Sequence, residues 1–176
     1  MIVIYKGARG RGKTLTMCRD AKKFTENGWK VYSNMQGLKI GEYITNEKIL
    51  AIDKNEEVLF NCVLVIDEIQ TLFDSRTSMK KENRDFSYFL QQIRKRGIVM
   101  LTTTQFTNTI DLRLRQHIDV IVIPRFIKKY NVCEVKYIDL RTIEDAEFGV
   151  TEPECVTIVY DAEKIFGIYD TREMIV

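Results

Sequence analysis

The apolar run Ile2-Val3-Ile4-Tyr5 leads through Lys6 into Gly7-Ala8-Arg9-Gly10-Arg11-Gly12-Lys13-Thr14. This G-x-x-x-x-G-K-T spacing constrains the fold more than any other feature, because it has meaning only between a strand and the helix that follows it. Its glycines let successive backbone N–H groups turn inward around a triphosphate, and the helix N-terminus behind them adds partial positive charge. The expected phosphate cradle is Gly7, Ala8, Arg9, Gly10, Arg11, Gly12, Lys13, Thr14 and Leu15. Lys13 reaches the β- and γ-phosphates of ATP in this reading, and the Thr14 hydroxyl is a ligand of Mg²⁺.

A chain of 176 residues fits one domain with a sizeable core. No apolar run approaches the ~20 residues that span a bilayer, and the short N-terminal run is consumed by the glycine loop rather than by a secretory leader. Cys18, Cys62, Cys133 and Cys155 are scattered with no C-x-x-C spacing, and read as buried free thiols of a reducing compartment. His117, the single histidine, reads as a surface or interface residue. The net charge of +2 is unevenly spread: residues 1–138 hold 24 basic and 15 acidic side chains, residues 139–176 hold 3 and 10. A basic body with an acidic tail suits a polyanionic partner.

Apolar strands alternate with helical patterns along the chain. Strands are expected at 2–6, 29–34, 62–66, 98–103 and 120–123, with a hairpin turning at Asn131 and a further strand at 156–160. Helices are expected at 14–27, 81–96 and 112–118. Residues 37–60 are ambiguous. The alternation predicts a three-layer α/β fold around a mainly parallel sheet. We divide it into a nucleotide-binding core, 1–125, and a β-rich C-terminal antiparallel extension, 126–176.

Val63-Leu64-Val65-Ile66-Asp67-Glu68 is a second chemical motif, four apolar residues running into two carboxylates. Asp67 at the strand tip is placed to hold the Mg²⁺ coordination sphere. Glu68, one residue on, is placed to orient and deprotonate the water that attacks the γ-phosphate. A third segment, Met100-Leu101-Thr102-Thr103-Thr104-Gln105, ends a strand in polar groups, with Gln105 the candidate γ-phosphate sensor.

In this order and spacing the three motifs resemble the FtsK–HerA superfamily of P-loop ATPases, with a RecA/FtsK-like fold. Val31-Tyr32-Ser33-Asn34-Met35-Gln36-Gly37-Leu38, the run Asp67–Arg76 and Arg94-Lys95-Arg96-Gly97 are similar to segments of zonula occludens toxin-like phage assembly ATPases. Similar cassettes occur in viral genome-packaging ATPases, and Ile165-Phe166-Gly167-Ile168-Tyr169-Asp170-Thr171 resembles the ending of some of these proteins. The resemblance implies an extra strand between the phosphate-loop strand and the Asp67 strand, with Gln105 at its tip. Phage assembly relatives carry a membrane segment and a further domain after the ATPase, and this sequence shows neither. It is therefore expected to stand closer to the soluble packaging motors.

The resemblance further implies a homo-oligomeric ring, a hexamer or pentamer, with an arginine inserted from the neighbouring subunit at each site. Candidates are Arg94 and Arg96, then Arg113, Arg115 and Arg76. Lys80, Lys81 and Arg84 are candidates for gripping DNA phosphates in the ring channel; Lys128, Lys129 and Lys136 form a second basic patch. The expected function is an ATP-driven motor that packages double-stranded DNA into a viral capsid, located in the host cytoplasm or with the virion and recruited by capsid or virion-membrane proteins. The alternatives are a zonula occludens toxin-like assembly or extrusion ATPase, and a nucleotide-binding switch or small-molecule kinase.

Overall fold

A computed structural model describes residues 1–51, 59–72, 80–105, 112–144 and 152–169. In chain order the first half comprises strand β1 (Ile2–Lys6), helix α1 (Lys13–Glu26), strands β2 (Lys30–Ser33) and β3 (Glu42–Tyr43), the short helix α2 (Asn46–Leu50) and strand β4 (Cys62–Ile66). Helix α3 (Lys80–Lys95), strand β5 (Val99–Thr104), helix α4 (Leu112–Gln116) and strands β6 (Val120–Ile127) and β7 (Val132–Asp139) follow. Helix α5 (Arg141–Glu144) and strand β8 (Glu154–Asp161) complete the set. The ambiguous stretch before β4 thus holds a two-residue strand and one helical turn, which the Thr45 hydroxyl caps by accepting from the Lys48 N–H at 3.4 Å.

These strands form one sheet in the order β3-β2-β4-β5-β1-β6-β7-β8. The neighbours from β3 to β6 run parallel, whereas β6–β7 and β7–β8 are antiparallel. Strand β5 therefore lies between β1 and β4, as the resemblance implied. All five residues of β4 are buried, which a parallel sheet covered on both faces requires. The alternation of β1 divides the core. Ile2 and Ile4 join Leu64, Ile66 and Met100 under Phe89, Leu90 and Ile93 of α3. Val3 and Tyr5 join Val63, Val65 and Leu101 under Met17, Cys18 and Ala21 of α1.

The antiparallel C-terminal strands continue the same sheet: β6 spans residue 125 and its eight residues pair continuously with β7. The Phe126 N–H of β6 donates to the Arg11 carbonyl of the phosphate loop at 3.1 Å. One expectation needs correction. Cys18, Cys62 and Cys133 are buried free thiols, but Cys155 is exposed, on β8 at the end of the strand order.

A buried polar network ties that extension to α1. Tyr5 and Tyr137 both donate their hydroxyls to the Asp20 carboxylate, at 2.9 and 2.8 Å. Arg19 donates to the other Asp20 oxygen at 2.9 Å and lies over the Tyr160 ring. Burial raises the Asp20 carboxyl above its ordinary pKa, against the pull of the two tyrosine hydroxyls and Arg19. Thr16 closes the chain: its hydroxyl meets that of Tyr160 at 3.0 Å and donates to the Gly12 carbonyl at 2.8 Å. No helix among the described residues is long and apolar enough to cross a membrane.

Candidate active site

The loop 7–12 follows β1 at the C-terminal edge of the sheet. Gly10 and Gly12 take left-handed φ of 73° and 89°, a region that side chains with a Cβ enter at a cost. At Gly12 the space is closed too, since a Cβ there would lie 3.2 Å from Cys133 Sγ and 3.4 Å from Phe126 Cβ. The N-terminus of α1 carries no side-chain cap and no acidic residue in its first turn. Its orphan N–H groups and dipole are therefore left for an anion. Lys13 is buried, and its ammonium donates to the Ala8 carbonyl across the loop at 3.3 Å. Ala8, Arg9, Gly10 and Arg11 are exposed along the rim, while Leu15 anchors the helix in the core.

Register brings the other candidates to the same edge. Lys6 pairs with Thr104 and Ile66 with Thr102, so Gly7, Gln105 and the Asp67–Glu68 pair leave the sheet side by side. The Thr14 hydroxyl donates to Asp67 Oδ1 at 3.1 Å. Thr103 donates to the same oxygen at 2.6 Å, and its hydroxyl accepts the Glu68 N–H at 2.8 Å. Burial raises the Asp67 carboxyl above its ordinary pKa, the neighbouring Glu68 charge adds to this, and the hydroxyls of Thr103 and Thr14 and the Lys13 charge oppose it.

Glu68 sits at φ 53°, ψ 66°, an uncommon position for a residue with a side chain and one that costs on the order of 1–3 kcal/mol. Its carboxylate accepts from the Gln70 side-chain amide.

Asn34, Thr103 and Gln70 were not singled out from the sequence. Asn34 is buried at the end of β2; its side chain accepts the Asp67 N–H at 2.9 Å and donates to the Asp67 carbonyl at 3.4 Å. One amide thus clamps both sides of the peptide that carries the carboxylate. The signal available was an asparagine directly after the strand Lys30–Ser33, a poor place for an amide without partners. As a positioning residue, Asn34→Ala is expected to lower kcat for ATP hydrolysis about tenfold and leave the Kd for ATP within about threefold. Loss of ATP binding would instead make Asn34 part of the nucleotide cradle.

Arg94 and Arg96 precede β5, whereas the loop and carboxylates of the same chain stand at its far end, roughly 20 Å away over six residues. Arg96 is buried, donates to Gln92 Oε1 at 3.1 Å and lies over Phe60; Arg94 faces Asp119 at 3.8 Å with its side chain 58% exposed. Neither belongs to the catalytic cluster of its own chain. Arg115 is exposed on α4. Arg76 and the side chains of Arg113, Lys80, Lys81 and Arg84 lie outside the described residues. Lys128, Lys129 and Lys136 are exposed on the β6–β7 hairpin.

Among the described residues no group of three or more His, Cys, Asp or Glu is gathered to hold a metal alone. A hydroxyl and one carboxylate meeting within 3.1 Å fit instead a hard cation that takes its remaining ligands from phosphate and water.

A glycine loop on a strand–helix junction, a lysine inside it and an acidic couple two strands away define a P-loop NTPase. A family model described as zonular occludens toxin (Zot) matches residues 1–129, and the chain belongs to that family. The N-terminal domain of zonular occludens toxin from Neisseria meningitidis is similar at 20% identity and TM-score 0.62, over 96% of this chain and 98% of that one. The genome packaging NTPase B204 of Sulfolobus turreted icosahedral virus 2, solved with ATP-gammaS, is similar at 14% identity and TM-score 0.60, over 88% and 95%. The flagellar accessory protein FlaH of Methanocaldococcus jannaschii is similar at 14% identity and TM-score 0.51, over 79% and 77%. No curated protein matches the sequence.

Proposed function

We propose that this chain hydrolyses ATP to drive virion assembly by moving a nucleic acid, as a ring of identical subunits. The observation that carries the catalytic half is the convergence of the loop on the acidic couple, with Thr14 Oγ1 3.1 Å from Asp67 Oδ1. Lys13 leaves the Ala8 carbonyl to hold the β- and γ-phosphates. Thr14 and Asp67 hold Mg²⁺, which when bound neutralises charge on the phosphate oxygens. Glu68 accepts the proton of the attacking water. Gln105, at the tip of β5 beside Gly7, contacts the γ-phosphate, and an arginine from a neighbouring subunit completes the site.

The packaging of double-stranded DNA into a capsid is supported by the likeness to a genome packaging NTPase over most of both chains and by the basic charge of residues 1–138. A second reading, assembly or extrusion at a membrane, is favoured by the family match over residues 1–129. Double-stranded DNA separates them. Packaging predicts an ATPase rate that rises with duplex DNA. Its apparent affinity should fall about tenfold between 50 and 200 mM salt for every two phosphates engaged. A rate flat in DNA at every salt concentration would refute packaging and leave extrusion standing. Phosphate transferred to an acceptor other than water would replace both by a kinase.

A further inference from the structure

We infer that Phe166, braced by Phe126, is the platform on which the base of the nucleotide stacks; the inference rests on the reading that the loop holds a triphosphate. Thr14 and Asp67 mark the end of the loop where the γ-phosphate lies, and Asp67 reaches it from β4, on the β5 side of β1. A linear triphosphate with its terminal group there must carry its nucleoside toward the opposite flank. That flank is β6. There the Phe126 N–H donates to the Arg11 carbonyl at 3.1 Å, joining the strand to the last turn of the loop. Phe166 packs edge-on against Phe126, with ring centroids 6.3 Å apart and planes at 78°.

Phe166 stands half exposed at 51%, although its neighbour Ile165 is buried at 6%. The turn that carries it is fixed at both ends. The Ala162 N–H donates to the Asn131 carbonyl at 2.8 Å, and the Lys39 N–H donates to the Ile168 carbonyl at 2.8 Å. Gly167 at φ 86° lets the chain reverse between them. An aromatic ring held rigid, left in water and braced from behind is pre-organised for stacking. Stacking uses ring area and tolerates any base, so ATP and GTP should bind alike, and UTP, with the smaller ring, more weakly.

Calorimetric titration of wild type and Phe166→Ala with ATP, GTP and inorganic tripolyphosphate tests this. The alanine variant should weaken ATP and GTP about tenfold and leave tripolyphosphate unchanged, which also shows that its loop is folded. Phe166→Trp should hold ATP within about threefold of wild type. An unchanged ATP affinity in Phe166→Ala, an equal loss for tripolyphosphate, or a tryptophan variant as weak as alanine would overturn the platform. Wild type that binds neither ATP nor tripolyphosphate would overturn the triphosphate reading itself.

Discussion

Glu68→Gln is expected to abolish ATP turnover while ATP still binds. Glutamine keeps the length of the side chain and can still accept the Gln70 amide, so the left-handed turn at φ 53° and its N–H bond to Thr103 at 2.8 Å need not change. What is lost is the ability to take a proton. General-base catalysis contributes about 10²–10⁴-fold, and kcat should fall by that factor, equal to roughly 3–5 kcal/mol of barrier. The Kd for ATP should stay within about threefold, because the phosphates are held by the loop and Lys13. Phosphate release in the steady state and equilibrium ATP binding, measured on the same preparation, check both halves. Full residual hydrolysis would remove Glu68 from the chemistry, and loss of binding would mean that its carboxylate organises the loop.

The parts of the fold that were legible in the sequence are those whose signal is local. Strands β1 and β4 come out with the expected bounds, Ile2–Lys6 and Cys62–Ile66, because each is an uninterrupted apolar run stopped by a loop or carboxylates. Strand β6 runs on to Ile127, beyond the expected 123. Pro124 interrupted the pattern, and the antiparallel partner β7 supplies pairing that no local signal announces. The catalytic carboxylates and loop were legible because their spacing is a motif. Their supports were not, since Asn34 and Thr103 reach Asp67 from 33 and 36 residues away. Nor were the contacts of the C-terminal extension legible: Tyr160 and Cys133 reach Thr16 and the space around Gly12, contacts visible only once the sheet is closed.

Asp67→Asn should raise stability at neutral pH and destroy activity at the same time. Burial and the adjacent Glu68 hold the Asp67 carboxyl above its ordinary pKa. A carboxylate destabilised in the folded state contributes fully below its unfolded pKa of about 3.9, and the contribution is lost as pH rises toward and through the folded value. Asparagine has no charge to desolvate and still accepts the Thr14 and Thr103 hydroxyls through its oxygen. The melting temperature of the variant, without nucleotide or Mg²⁺, should therefore exceed that of wild type at pH 7.5. The gap should close as pH falls to about 4. Hydrolysis should meanwhile drop at least about 100-fold, since the neutral amide is a weak ligand for Mg²⁺. Mg²⁺ should also narrow the gap at pH 7.5 by stabilising wild type alone, because the cation relieves the repulsion between Asp67 and Glu68. A variant less stable than wild type at pH 7.5, or a gap that does not move with pH, would show that the Asp67 charge is compensated within the fold and not held in reserve for the cation.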